Sequence, residues 1–243
     1  MSKVDEAIWT TEGAKKRSAV QGMFAEIAPT YDRLNAIISF SLHHRWRRFA
    51  VSTLRLTEGS RALDVCCGTG DFMIPLTKAV GKSGQVFGVD FCLPMLEVAQ
   101  SKSHETISLG DACSLPIQSE SFDGVSVGWG IRNVPDIDLA HREAFRVLRP
   151  GGRFVSLDMA RPATRFLRWS SELVSLKIVP KLGALFGKAT AYTYLPESTL
   201  RFLSREQLSA SMERAGFVNI GYKNLLLGNI CIHYAQKPER RTS

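Results

Sequence analysis

Arg-Ala-Leu-Asp-Val-Cys-Cys-Gly-Thr-Gly-Asp, residues 61–71, is the stretch on which the fold turns. A short β-type run ends at Asp64 and Val65. Gly68, Thr69 and Gly70 then force a tight turn, and an apolar helical pattern begins near Phe72. A strand, a glycine turn and a helix in that order let the backbone approach a nucleoside closely, and the free N–H groups at the helix start favour a carboxylate or other anion. A merely tight turn would read the same way, so the motif alone leaves ligand binding open. It argues against a dinucleotide fingerprint, which needs a glycine at Cys66 or Cys67 and another where Met73 stands.

The 243 residues, 44% of them hydrophobic, suffice for one sizeable core, an α/β domain with appended pieces. No apolar run reaches the roughly 18 residues of a spanning helix. The polar start Met-Ser-Lys-Val-Asp-Glu lacks both a secretory h-region and an arginine-rich transit pattern, which predicts a cytoplasmic protein. The five cysteines show no zinc-ligand or redox spacing, and the pair Cys66 and Cys67 falls on a strand end, so reduced structural thiols and no metal are expected. A formal charge of +8 points to an acidic partner: nucleic acid, an anionic membrane surface or an acidic substrate.

Residues 1–20 read as a polar, basic, partly ordered arm, and residues 21–56 as helices preceding the sheet, broken at Ala28-Pro29-Thr30. Tyr31, Asn35, His43 and Trp46 give those helices a polar-aromatic face, suited either to a capping helix or to the wall of a substrate pocket. Strands and helices then alternate with short turns, as a parallel sheet requires. The second strand, Gln85–Val89, ends at Asp90, about twenty residues past Gly70, where doubly wound folds place an acid on ribose hydroxyls. A third strand, Thr106–Leu109, leads to Asp111-Ala112, where the carboxylate could accept from an adenine amino group or cap the next turn. The fourth, Phe122–Val127, leads to Gly128-Trp129-Gly130-Ile131-Arg132-Asn133, at the edge where ligands of open α/β sheets sit. A helix from about Leu139 to Val147, a Pro150-Gly151-Gly152 turn and a strand Arg153–Leu157 follow. Residues 161–195 break the alternation as a helical insertion with six cations, one acid (Glu172) and many apolar side chains. A helix at 204–215 and two strands, Phe217–Tyr222 and Ile230–Gln236, close the domain.

The acidic strand end and the glycine turn resemble the first motif of class I S-adenosylmethionine-dependent methyltransferases, with Cys66 in place of the first glycine. Arg146-Val-Leu-Arg-Pro-Gly-Gly-Arg153 resembles a further signature of that class. Across residues 20–236 the resemblance narrows. Tyr31-Asp32-x-x-Asn35, Ser39, His43, Trp46-Arg47, Asp64 to Asp71, Asp111-Ala112-x-x-Leu115-Pro116, Gly130-Ile131-Arg132-Asn133-Val134 and Tyr194-Leu195-Pro196-Glu197-Ser198 look like the quinone-biosynthesis C-methyltransferases. Those enzymes act on demethylmenaquinol and on 2-polyprenyl-6-methoxy-1,4-benzoquinol. The resemblance implies a single domain with a Rossmann-like, mostly parallel seven-stranded α/β sheet and helices on both faces. Its cofactor would be S-adenosylmethionine, held by Asp64, Gly68, Thr69, Gly70, Asp90, Asp111, Ala112 and Gly128. Gly128 stands where the family has a serine, so that hydroxyl contact is lost, and Ser41 stands where the family usually has glycine.

Methyl transfer from a sulfonium to a ring carbon is an in-line displacement, so it needs alignment, exclusion of water and an electron-rich carbon. Removing a quinol proton supplies the electrons, and fixed donors can hold the resulting oxyanion. Arg132 and Asn133 stand where they could do this, with Tyr31 assisting. Arginine stays protonated, so Arg132 would stabilise the oxyanion or orient a water acting as base. Tyr31, Asn35, His43 and Trp129 would line the substrate pocket. The implied partners are a prenylated quinol and, through the 161–195 insertion, an anionic membrane. A homodimer is a further candidate, and nucleic acid is not expected. The competing function is an RNA-modifying methyltransferase of the same fold, for which the insertion's cations lie among too many aliphatic residues.

Overall fold

The computed structural model describes residues 13–102, 105–169, 194 and 198–240. Three helices precede the sheet: α1 (Gly13–Ile27), α2 (Tyr31–Ile38) and α3 (Leu42–Thr53). Pro29 cannot continue the α1 hydrogen-bond ladder, and the chain turns through a short 3₁₀ segment, Ala28–Thr30, into α2. The arm expected over residues 1–20 is corrected: from Gly13 onward it is already helical. The run Ala14-Lys15-Lys16-Arg17 consists of good helix formers, which extend α1 beyond the end that Val20, Met23 and Ile27 anchor in a core. Residues 1–12 lie outside the described residues. Between α2 and α3, Phe40 and Ser41 are both left-handed, with φ of 49° and 58°. Ser41 holds this left-handed turn without a glycine, at a cost of roughly 1–2 kcal/mol.

The alternation that follows is β1 (Arg61–Val65), α4 (Met73–Val80), β2 (Gln85–Asp90), α5 (Leu93–Lys102), β3 (Thr106–Leu109), β4 (Phe122–Gly128), α6 (Ile137–Val147), β5 (Leu148–Met159), α7 (Arg205–Arg214), β6 (Val218–Leu225) and β7 (Ile230–Gln236). The seven strands form one sheet in the order β3-β2-β1-β4-β5-β7-β6. β1 to β5 are parallel, and β7 runs antiparallel to both neighbours. Pro150-Gly151-Gly152 lies inside β5 as an irregularity, not ahead of it, and the pairing with β4 resumes at Arg153. Successive β1 side chains alternate between faces. Leu63 and Val65 pack with Val125, Val127, Ala144 and Val147, whereas Ala62 packs with Ala50, Val51, Met73 and Leu76.

The chain leaves β1 toward β2 and β3, then returns to β4 on the other side of β1, so the sheet's switch point lies at the carboxyl ends of β1 and β4. The first helices are fixed beside that edge. Val20, Met23, Ile27 and Leu34 share a core with Cys92 and Met95, and the Gln21 side chain donates to the Phe91 carbonyl at 2.8 Å. The 161–195 insertion lies outside the described residues except for 161–169 and Tyr194.

Candidate functional site

The turn after β1 holds three left-handed residues: Cys66 (φ 57°), Gly68 (53°) and Gly70 (81°). Cys66 therefore keeps the backbone conformation of the glycine it replaces. The Gly68 N–H donates to one oxygen of Asp90 at 2.8 Å, and the Cys92 N–H donates to the other at 2.9 Å. Burial pushes the Asp90 carboxyl above the usual range, and these amides oppose the shift. Asp64 lies behind the turn, 1% exposed, and accepts from Ser126 Oγ at 2.6 Å because β1 and β4 pair it with that residue. Burial raises its pKa to about 7.

A cavity opens over the turn, bordered by Gly68, Asp90, Asp111, Ala112 and Gly128, by Phe91 and Met95, and by Phe24 and Tyr31 from the amino-terminal helices. Asp111 both borders the cavity and caps the next turn, accepting from the Cys113 N–H at 2.9 Å. Two carboxylates, Asp90 and Asp111, in a lining that also holds Phe91, Met95 and Val134 suit a nucleoside, whose ribose and base offer donors and an apolar face. Three residues expected in the cofactor set do not border this cavity. Asp64 is buried under the turn. Thr69 turns its hydroxyl to the Asp32 carboxylate of α2. Gly70 serves packing, since a Cβ there would stand 3.3 Å from that of Ala99 on α5.

A second, apolar cavity adjoins the first and shares Phe24, Tyr31 and Trp129 with it. Asn35, His43, Trp46 and Arg132 line it, with Met23, Ile27, Ile38, Met159 and Ile230. All four residues expected in the substrate pocket thus meet in one place. Trp129 is left-handed, at φ 54°, between Gly128 and Gly130. A Cβ at residue 128 would come within 2.5 Å of the Phe72 ring, and one at 130 within 2.4 Å of the Cys66 Cβ. The space of the missing serine side chain is therefore filled by Phe72. The Trp129 N–H donates to the Leu157 carbonyl at 2.7 Å, and its own carbonyl accepts from Arg132 and from Asn133, each at 3.1 Å.

Arg132 is ion-paired with Asp158 on β5, and its Nε reaches Ser198 Oγ at 3.3 Å. Asn133 uses both ends of its amide, because Oδ1 accepts from the Tyr194 hydroxyl at 2.9 Å. It borders the first cavity, not the second. Burial raises the Tyr31 pKa above its ordinary value. Burial, with the nearby Arg47 cation, lowers that of His43 to about 4. Tyr31 therefore remains a donor and His43 remains neutral near pH 7.

Sequence reasoning missed a chain of charges around the turn. Arg47 of α3 lies 3.0 Å from Asp71, and Lys102 bridges Asp71 to Asp32 at 2.8 and 2.6 Å. Trp46-Arg47 and Asp71 stood in the quoted motifs, but their pairing across 24 residues leaves no periodic signal. Although no metal was expected, ligand atoms of His43, His44 and Asp71 lie within 4.8 Å of one another. Arg47 and Lys102 already engage that carboxylate, and the His43 Nδ1 contacts Ser39 Oγ at 2.5 Å.

A parallel sheet ending in one antiparallel strand, with a glycine turn after β1 and acids beyond β2 and β3, defines the class I methyltransferase fold. Solved structures agree. A SAM-dependent methyltransferase from Thermotoga maritima superposes with a TM-score of 0.65 at 22% identity, covering 89% of this chain and 98% of that one. The [4+2]-cyclase SpnF gives 0.61 at 20% identity over 81% of each chain, so this fold does not by itself fix a reaction. Residues 11–237 match the ubiE/COQ5 methyltransferase family, and the chain belongs to it. Among its relatives is the demethylmenaquinone methyltransferase of Staphylococcus aureus strain JH9, 41% identical over 231 residues, or 93% of this chain and 96% of that protein.

Asp90→Ala removes the acceptor at the end of β2 and releases the Gly68 N–H. A hydrogen bond to a charged group is worth roughly 1.5–3 kcal/mol, so S-adenosylhomocysteine affinity is expected to fall about tenfold or more. Titration calorimetry checks this; unchanged affinity removes Asp90 from the site.

Proposed function

We propose that this protein methylates a ring carbon of demethylmenaquinol, with S-adenosylmethionine as donor, to give menaquinol. The observation that carries the reading is the pair of adjoining cavities, one ending in carboxylates and one apolar, which meet at Tyr31 and Trp129. The naphthoquinol is preferred to a benzoquinol on the strength of the Staphylococcus aureus relative.

When bound, the sulfonium supplies an electrophilic methyl group. Gly68, Asp90, Asp111 and Ala112 would hold its nucleoside. Tyr31, Asn35, Trp129 and His43 would hold the quinol ring with the face of its reacting carbon toward the methyl and exclude water, which is where most of the barrier reduction lies. As the ring carbon bonds to the methyl, the carbon–sulfur bond would break; the quinol oxygen, deprotonated for the attack, would take a proton back as the ring carbon gives up its own, so that one proton leaves to solvent overall. Arg132 is fixed beside the ring by Asp158, Ser198 and the Trp129 carbonyl, and its role is to stabilise the oxygen that gains charge. The raised Tyr31 pKa suits a hydroxyl that donates to that oxygen instead of removing its proton. Asn133, with both amide ends engaged, acts as a positioning residue that fixes Trp129 and Tyr194.

The quinol's prenyl tail must come from lipid, and the rim of the apolar cavity suits that supply. Phe40 and Leu226 border the cavity and are 87% and 50% exposed, and the neighbouring Leu227 is 74% exposed. Gly228 packs on Pro162, which joins this rim to the start of the insertion, where Phe166 and Trp169 are exposed. Residues 36–55 and 216–229 contain no acid, and Arg45, Arg48 and Lys223 are exposed among them. Cations beside exposed apolar side chains support reversible contact with an anionic bilayer. No helix among the described residues is long and apolar enough to cross a membrane.

Incubating the protein with labelled cofactor and extracted demethylated naphthoquinols and benzoquinols, then identifying the methylated product, tests the activity. Menaquinol is the expected product, and Arg132→Ala is expected to lower turnover far more than cofactor affinity. Label in neither quinol rejects the reading, and near-normal turnover of the variant rejects the role of Arg132. Co-sedimentation with vesicles tests the rim. Wild type should bind anionic vesicles in a salt-sensitive way, and Phe40→Ser/Leu227→Ser should bind at least about tenfold more weakly, given roughly 1.5–3 kcal/mol for each apolar side chain withdrawn from water. Equal binding by the double variant removes this rim as the contact.

A further inference from the structure

Arg47 is the most deeply buried cation facing the apolar cavity after Arg132, with its side chain 5% exposed, and the mechanism above does not use it. It lies on α3, an element separate from the one that carries Arg132. Its guanidinium carbon stands 4.9 Å from the centre of the Trp129 ring, the ring that both cavities share. Nη1 is close to Asp71, yet neither Nε nor Nη1 has an acceptor in hydrogen-bonding geometry. Asp71 Oδ2 balances the Arg47 charge as an ion pair at 3.0 Å but accepts no hydrogen bond from it, while Oδ1 receives Lys102. Buried donors of a charged group are costly to leave unmade, and such donors facing a cavity mark a place for an acceptor from a ligand.

Two further observations locate that acceptor. Arg47 and Arg132 line the same cavity as Tyr31, the residue at the junction of the two cavities, from separate elements. The other basic side chain of α3 that faces the cavity, His43, is neutral, and Trp46 beside it is apolar, so Arg47 is the cation of this wall. The cavity that Arg47 lines is the ring-binding one, not the nucleoside one.

We propose that Arg47 is a second anion-holding residue, donating to an oxygen of the bound quinol ring as charge develops there, opposite the oxygen side served by Arg132. This rests on the reading of the apolar cavity as the quinol site. A dihydroxy ring carries two oxygens on opposite edges, and a cation from α3 and another from the segment after β4 would grip both. The grip fixes the rotation of the ring, and with it the carbon that faces the methyl. Asp71 and Lys102 are positioning residues in this arrangement: they hold Arg47 at the cavity wall and balance its charge when the ring oxygen is protonated.

The test uses the full chain saturated with S-adenosylhomocysteine and two ring probes without a tail. 2-Hydroxy-1,4-naphthoquinone is an anion at neutral pH, and 2-methyl-1,4-naphthoquinone is neutral. Titration calorimetry of each probe is run on wild type, Arg47→Met and Arg47→Lys, with S-adenosylhomocysteine affinity and near-ultraviolet circular dichroism as controls on folding. Wild type should prefer the anion by roughly tenfold or more. Arg47→Met should weaken that preference severalfold with cofactor affinity unchanged, and Arg47→Lys should keep more of it. An anion preference as large in Arg47→Met as in wild type, or one missing from wild type, overturns the proposal. So does wild-type-like turnover of demethylmenaquinol by Arg47→Met. Turnover of demethylmenaquinol by wild type on the same preparation reports separately on the functional reading, because the probe titrations require no methyl transfer.

Discussion

The backbone of Trp129 stands in a left-handed conformation that a bulky side chain adopts only under constraint, and the site is arranged around keeping it there. Its N–H is held by Leu157 of β5, and its carbonyl is held by the side chains of Arg132 and Asn133. Asp158 and Ser198 fix Arg132, and Tyr194 fixes Asn133. Trp129 borders both cavities, with the Arg47 guanidinium over its ring. Flanking glycines are required because Phe72 and Cys66 press against the backbone from the glycine-turn side. Strain of about 1–3 kcal/mol at one residue thus carries the geometry of two binding sites.

The same constraint explains why the cofactor turn and the substrate wall are mechanically linked. Asp90 ties the turn after β1 to the end of β2 through the Gly68 and Cys92 amides. Thr69 ties the turn to α2 through Asp32, and Asp32 shares Lys102 with Asp71, which in turn faces Arg47 on α3. Asp71 is nearly buried and has cations in place on two sides, and these links join the amino-terminal helices to the turn. The two cavities then meet at Tyr31 and Trp129.

The sheet and the glycine turn were legible because their information is local. The alternation of Leu63 and Val65 with Ala62 and Asp64 sets β1, and Gly68 and Gly70 mark the turn. Asp90 follows at the spacing that a strand, helix and strand require. The antiparallel direction of β7 was not legible, since residues 230–236 read as a strand in either sense, and direction is fixed only by pairing with β5. Within the site, Tyr31, Asn35, His43, Trp129 and Arg132 came from motifs and do converge. Thr69 entered the cofactor set through the family resemblance, and its hydroxyl bond to Asp32, 37 residues away in sequence, answers to no periodicity. Arg47 was hidden for a like reason: on a helix reading His-Arg-Trp-Arg-Arg, only packing tells the buried arginine from the exposed ones.

The central claim is that methyl donor and ring occupy separate cavities and meet at the gap between Tyr31 and Trp129. A crystal structure of the protein with S-adenosylhomocysteine and a short-chain demethylated naphthoquinol tests it most directly. The account predicts the sulfur in the cavity of Asp90 and Asp111 and the ring in that of Asn35 and Arg132. One ring carbon should face the sulfur across the gap, leaving about 3–3.5 Å between it and the position of the transferred methyl. A ring bound outside the apolar cavity, or separated from the sulfur by the Trp129 indole, would contradict it.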